Sequence, residues 1–157
     1  APSDCQALSE IYNHYIRNTV VTFEQLPVNA IEMEQRVELV QKTHTWLVGT
    51  HNNQIVGFTY AAPWHGRSAY RHTVETTIYL APEQMGNGYG RRLYGALLES
   101  LIRFDCHVAI AAIALPNTAS VKLQQALGFE HVGVLHEVGY KFDRWIDVEY
   151  WQKRLLD

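Results

Sequence analysis

The chain has 157 residues, 47% of them hydrophobic and 18% charged, with a formal net charge of −3. A faintly acidic chain gives no electrostatic reason to expect nucleic acid or an anionic membrane surface as a partner. No apolar run approaches the roughly 20 residues that cross a bilayer, and the length suits a single domain over residues 1–157 with a core of its own.

The opening Ala1-Pro2-Ser3-Asp4 lacks the charged-then-apolar pattern of a secretory leader. Asp4 is placed to cap a first helix whose apolar positions Leu8, Ile11, Tyr12, Tyr15 and Ile16 follow 3/4 spacing. A second helix is expected over about Asn29 to Lys42. Thr45 to Gly49 and Gln54 to Ala61 read as two strands around a turn at His51-Asn52-Asn53. Pro63 to Ser68 is a loop carrying Trp64. A strand from Thr73 to Leu80 leads into Gly86-Asn87-Gly88-Tyr89-Gly90-Arg91, and a helix follows to about Arg103.

His107 to Leu115 is almost wholly aliphatic, as a strand covered on both faces in a parallel region would be. Pro116-Asn117 ends it, and a short helix from Ala119 to Leu127 stops at Gly128, which suits a left-handed cap. Glu130 to Leu155 alternates as two strands turning near Phe142-Asp143-Arg144. This order predicts an α/β (α+β) fold, a mixed central sheet flanked by helices. Cys5 and Cys106 are the only cysteines and lie far apart, so a disulfide framework is not expected and a reducing cytoplasm fits. Both thiols read as buried packing. The eight histidines show no ligand spacing, so no metal is expected.

Strand, glycine turn and helix N-terminus in succession form a cradle for phosphates. Glycine removes the Cβ atoms that hold an anion off, and the unpaired amides and positive end of the helix face it. Glu75 lies on the strand feeding that turn. The combination suggests an enzyme that binds a phosphorylated cofactor and removes a proton beside it.

Five blocks in order extend this reading: Tyr70-Arg71-His72-Thr73-Val74-Glu75, the glycine turn, Ala114 to Ser120, Ala126-Leu127-Gly128-Phe129, and Val138 to Phe142 with Arg144-Trp145. Together they resemble the GNAT superfamily of N-acetyltransferases, and within it the phosphinothricin and methionine sulfoximine/sulfone acetyltransferases. The resemblance implies a GNAT fold with two splayed parallel strands, acetyl-CoA as donor, direct transfer to an amine, and a homodimer. It places the diphosphate on Gly86, Asn87, Gly88, Tyr89, Gly90 and Arg91, and the pantetheine arm along Ile78, Tyr79 and Leu80. Asn117 matches a cofactor-contacting asparagine, and it also suits a helix cap.

For Glu75 the resemblance favours proton removal from the substrate ammonium over a plain solvent-facing strand residue. For Arg71, with His72 and Thr73, the resemblance implies substrate binding over a plain exposed surface arginine, and a guanidinium suits a carboxylate or phosphinate. An unbroken strand would put Arg71 on the face of Glu75 and His72 on the opposite one. Phe23, Trp64 and Tyr70 either wall the pocket or pack in the core.

Three departures stand out. Met85 replaces a polar residue ahead of the turn. Gln124 stands where relatives place a histidine or tyrosine, leaving Tyr79, Tyr94 or water to protonate the thiolate. Relatives begin with a short strand before the first helix, whereas this sequence begins almost at the helix, so that strand is missing or supplied otherwise. The acceptor implied is a small amino-acid-like amine. A polyamine, an aminoglycoside or a protein N-terminus is the alternative, as is a non-catalytic coenzyme A-binding domain.

Overall fold

The computed structural model describes residues 2–155. Its elements are α1 (Cys5–Asn18), α2 (Ala30–Gln41), β1 (Trp46–His51), β2 (Gln54–Pro63), β3 (Thr73–Leu80), α3 (Tyr89–Arg103), β4 (Val108–Ala114), α4 (Thr118–Ala126), β5 (Glu130–Lys141) and β6 (Arg144–Arg154). The strands form one mixed sheet in the order β1-β2-β3-β4-β6-β5. The mixed, helix-flanked sheet agrees with the expected fold class. Among the described residues no strand precedes α1.

Helix α1 buries the expected stripe of Leu8, Ile11, Tyr12, Tyr15 and Ile16. Its start differs from expectation: Asp4 has helical φ and ψ of −77° and −23° and makes no side-chain cap bond, because Pro2–Asp4 already form a 3-10 turn. Helix α2 starts from Asn29, whose side chain accepts the Glu32 amide at 2.8 Å. The β1–β2 hairpin turns on Asn52 and Asn53 alone, both at positive φ (50° and 63°), while His51 stays in the strand. Asparagine tolerates that left-handed pair, which matches the twist of a two-residue hairpin. Strand β2 continues to Pro63, two residues past the expected end.

The sheet is covered on both faces. Tyr94, Leu97, Leu98 and Leu101 of α3 pack on Ala61, Val74 and Ala109, while α1 and α2 cover Trp46, Phe58 and Tyr79 on the other side. Each fully buried leucine in such a layer contributes about 1.5–3 kcal/mol. Gly128 ends the α4 segment at φ 82°, the left-handed conformation expected of it. Strands β5 and β6 turn on Phe142 and Asp143, both at positive φ.

Strands β3 and β4 pair in parallel only through Thr73↔Val108, Val74↔Ala109 and Glu75↔Ile110. Beyond that point β3 stays with β2 as far as Leu80, and β4 stays with β6 as far as Ala114. The two strands therefore part just after Glu75, and the β4-facing edge of Thr76 to Leu80 has no strand partner.

Candidate active site

Two cavities lie along this parting. One of about 230 Å³ is lined by Glu75, Thr76, Thr77, Tyr94, Ala111 to Ala114 and Gln124. The other, of about 360 Å³, runs past Leu80 and Met85 to Gly86, Gly88, Gly90 and Arg91. They share Val21, Ile78, Tyr79, Asn117 and Ser120, so they form one crevice from the glycine turn to the apex beside Glu75.

At the apex, alternation on β3 places Glu75 on the α1/α2 face, and burial pushes its carboxyl above the ordinary range, with His65 partly opposing. No described residue hydrogen-bonds the Glu75 carboxylate. His65 belongs to an aromatic group beside it: its ring meets Trp64 at 4.8 Å and Tyr70 at 5.2 Å, and Trp64 meets Tyr150 at 5.7 Å. Trp64 and Tyr70 thus pack against this group instead of entering the core, whereas Phe23 lines the crevice directly.

The floor faces α3 and α4. The Tyr94 hydroxyl pairs with Thr76 Oγ1, and Gln124 Nε2 donates to it at 3.5 Å. Burial holds the Tyr94 phenol protonated, its pKa pushed up to about 12, and carries that of Tyr79 well above its usual value. Gln124 Oε1 is buried with no partner among the described residues, an acceptor left open on the crevice wall.

At the other end, Gly86 and Gly88 adopt φ 84° and 77°, and a Cβ on either would meet nothing within 4 Å. The backbone conformation requires glycine there, and the space above it is open. Gly90 is different, since a Cβ would come within 3.3 Å of Leu80 Cδ1, so it lets α3 sit close on β3. The first-turn amides of α3 lack intrahelical acceptors and point their dipole at this space. The side chains of Asn87 and Tyr89 turn away: Asn87 Nδ2 donates to Gln84 O at 3.4 Å, and the Tyr89 ring meets His51 at 5.5 Å. Only their backbones can serve the cradle. Asn117 Oδ1 caps α4 by accepting the Ser120 amide at 3.1 Å, leaving its side-chain nitrogen as a donor.

The substrate trio departs from the expected arrangement. Arg71 is not on the strand; at φ −58° and ψ −23° it closes a 3-10 turn over Ser68–Tyr70, and its Nη1 donates to Ser68 O at 3.1 Å. The premise that Arg71 shares an extended run with Glu75 is therefore wrong, because the run begins at Thr73. His72 reaches across to Asp105, with Nδ1 2.9 Å from the Asp105 carbonyl oxygen. Thr73 opens β3 on the face of Glu75. None of the three lines the crevice.

Several crevice residues had no sequence signal. Val21 and Thr22 come from the α1–α2 loop, and Thr22 Oγ1 pairs with Tyr12 OH at 2.9 Å. Tyr15 donates to the Leu80 carbonyl. Ser120, in the first turn of α4, lines both cavities. Both cysteines are buried and free, as expected.

The crevice fits a long ligand with a diphosphate at one end and a thioester at the other: it offers an open glycine cradle, an unpaired strand edge, an orphan buried acceptor and a desolvated carboxylate at the apex. Comparison with known proteins agrees. A family profile described as an acetyltransferase (GNAT) domain matches residues 1–150. The chain is 38% identical over 151 residues to a phosphinothricin N-acetyltransferase of Streptomyces viridochromogenes, covering 96% of this chain and 82% of that one. It is 32% identical to a methionine sulfoximine/methionine sulfone acetyltransferase of Salmonella typhimurium, covering 98% and 90%. A phosphinothricin acetyltransferase from Sinorhizobium meliloti, solved in complex with acetyl-CoA, superposes with a TM-score of 0.94 at 31% identity, covering 98% and 84%. The chain therefore belongs to the GNAT acetyltransferase family and is an N-acetyltransferase whose crevice fits acetyl-CoA.

Proposed function

We propose that the protein acetylates the α-amine of a small amino-acid-like acceptor, with phosphinothricin and methionine sulfoximine or sulfone as the leading candidates. The observation that carries this reading is the desolvated, unbonded carboxylate of Glu75 where β3 and β4 part. Bound acetyl-CoA supplies the acetyl group as a thioester.

The amides of Gly86 to Arg91 would hold the diphosphate, and the free edge at Ile78, Tyr79 and Leu80 would pair with the amide-bearing arm. Asn117 donates from the facing helix. Glu75 would draw a proton from the acceptor ammonium, directly or through water, so that the nitrogen lone pair is free to attack the thioester carbonyl. The N–C bond forms as the C–S bond breaks, and Tyr79, Tyr94 or water gives the leaving thiolate its proton. Its partial burial strengthens the pairing with an incoming ammonium. Tyr94, held protonated beside Thr76, is a neutral donor on the floor. Arg71 sits at the margin and meets an acceptor carboxylate only by leaving Ser68. Thr73, on the face of Glu75, marks the same open end. His72, whose Nδ1 lies 2.9 Å from the Asp105 carbonyl oxygen, flanks that end beside Arg71 and Thr73.

The relatives named for phosphinothricin and for methionine sulfoximine support the acceptor class. Two reduced, buried thiols suit a cytoplasmic enzyme. The exposed apolar hairpin of β5 and β6 supports a homodimer. Thiol release measured over amino acids, sulfoximines, sulfones, polyamines and aminoglycosides tests the acceptor. Amino-acid analogues should turn over best, and preference for a cationic polyamine would overturn the assignment.

A further inference from the structure

The block Gly139-Tyr140-Lys141-Phe142 lies outside the crevice, yet it shapes one of the crevice walls. On β5 the side chains alternate, so that Gly139 and Lys141 face inward and are buried, while Val138 and Tyr140 face outward, and Phe142 is exposed in the turn that follows. The ring of Phe23 lies against Gly139: a Cβ there would meet Phe23 Cζ at 2.4 Å and Cε2 at 2.6 Å. Lys141 is 3% exposed, and its Nζ donates to the carbonyls of Thr19 at 2.7 Å and Thr22 at 2.8 Å. No carboxylate among the described residues pairs with it, and burial lowers its pKa. Its Nζ also lies 5.0 Å from the centroid of the Phe142 ring.

An ammonium buried without a counter-charge is costly unless what it binds repays the desolvation. What Lys141 binds is the backbone of the α1–α2 loop, gripped on either side of Val20 and Val21. Val20 in turn packs with Ala114 and Ile146. The residues so fixed, Val21, Thr22 and Phe23, line the cavity that contains Glu75.

We propose that Gly139 and Lys141 are positioning residues that set the Thr22–Phe23 wall and thereby select the acceptor. Lys141 pulls the loop toward β5 through its carbonyls, and the missing Cβ of Gly139 gives the Phe23 ring the room to follow. The inference rests on reading the Glu75 cavity as the acceptor site. It does not depend on which amine binds there.

The test compares the wild type with Lys141→Met, Gly139→Ala, Phe23→Ala and the double variant Lys141→Met/Phe23→Ala. Acceptor KM, kcat, the coenzyme A dissociation constant and hydrogen exchange of amides 19–24 are measured for each. Lys141→Met should raise acceptor KM about tenfold, shift the coenzyme A constant less than twofold and speed exchange in the loop. Gly139→Ala, which leaves Lys141 intact, should give the same KM increase, and it decides the matter should the lysine variant fold poorly. If Lys141 acts through Phe23, its substitution adds little to Phe23→Ala. An unchanged acceptor KM, an equal rise in both constants, or additive effects would overturn the proposal. Should the acceptor prove to be another amine, the same series run with that amine bears on Gly139 and Lys141 alone.

Discussion

Glu75 and Glu24 illustrate how one residue type takes opposite roles. Burial raises the Glu75 carboxyl. Glu24 is held low, first by the Arg36 guanidinium, which donates to it at 2.6 and 2.9 Å, against a smaller desolvation effect. The signs of the linkage follow. Ionised Glu24 stabilises the fold above the usual carboxylate range, and that contribution fades as pH falls through its lowered folded value. Ionised Glu75 costs stability above its raised folded value, and the cost disappears as pH falls through it. A site that keeps a destabilised carboxylate keeps it for its basicity. Glu75→Gln should therefore lower kcat by about 10²–10⁴-fold, leave coenzyme A affinity unchanged and remove the acidic limb of the kcat/KM profile. The same variant should melt higher than wild type at neutral pH, with the gap closing toward acid. Unaltered turnover, checked by thiol release, would end the catalytic assignment.

Within α3, two glycines with open surroundings make a clean contrast. Gly88 caps the helix at φ 77° and Gly95 lies in its interior with ordinary helical backbone, yet a Cβ on either meets nothing within 4 Å. Alanine at 95 should stabilise by about 0.5–1 kcal/mol and leave cofactor binding alone. Alanine at 88 is strained by about 1–2 kcal/mol and places a methyl group over the open cradle, so the coenzyme A constant should rise at least tenfold. Melting curves and titration calorimetry separate the two; equal coenzyme A affinity in both variants would remove the diphosphate from this turn. The strand, glycine turn and helix were legible in the sequence because each is written in local spacing. The strand start at Thr73 was legible as well, whereas the 3-10 turn that takes Arg71 off the strand face was not, since it depends on Arg71 N and Nη1 both reaching Ser68 O. The Lys141 grip joins residues more than a hundred positions apart, and no local pattern announces such a contact. The Asp4 cap failed on a smaller scale, through a 3-10 turn that Pro2 begins.

For the molecule as a whole, the β5–β6 hairpin forms one end of the sheet, and β5 is its edge. Val138, Tyr140, Phe142 and Trp145, gathered toward the hairpin turn, are exposed, Trp145 at 64%. Tyr140 and Trp145 pair across the strands with ring centroids 4.8 Å apart. Large apolar groups gathered on an edge strand invite a partner, and a second copy matching this hairpin is the partner the proposed homodimer requires. A stable pair needs about 1,200–2,000 Å² of buried surface, so the large exposed rings of Tyr140 and Trp145 beside the turn are expected to fall within it. Trp145→Glu should therefore convert a dimer into a species of 18.0 kDa in sedimentation, with little loss of fold, because the indole is mostly exposed. A wild-type chain that sediments at 18.0 kDa at micromolar concentration would refute the homodimer. Gly139 and Lys141 face inward on the same strand that carries Val138 and Tyr140 outward, so dissociation should loosen the Phe23 wall before it disturbs the glycine cradle at the far end of the crevice. In the Trp145→Glu variant, acceptor KM should accordingly rise while coenzyme A affinity holds.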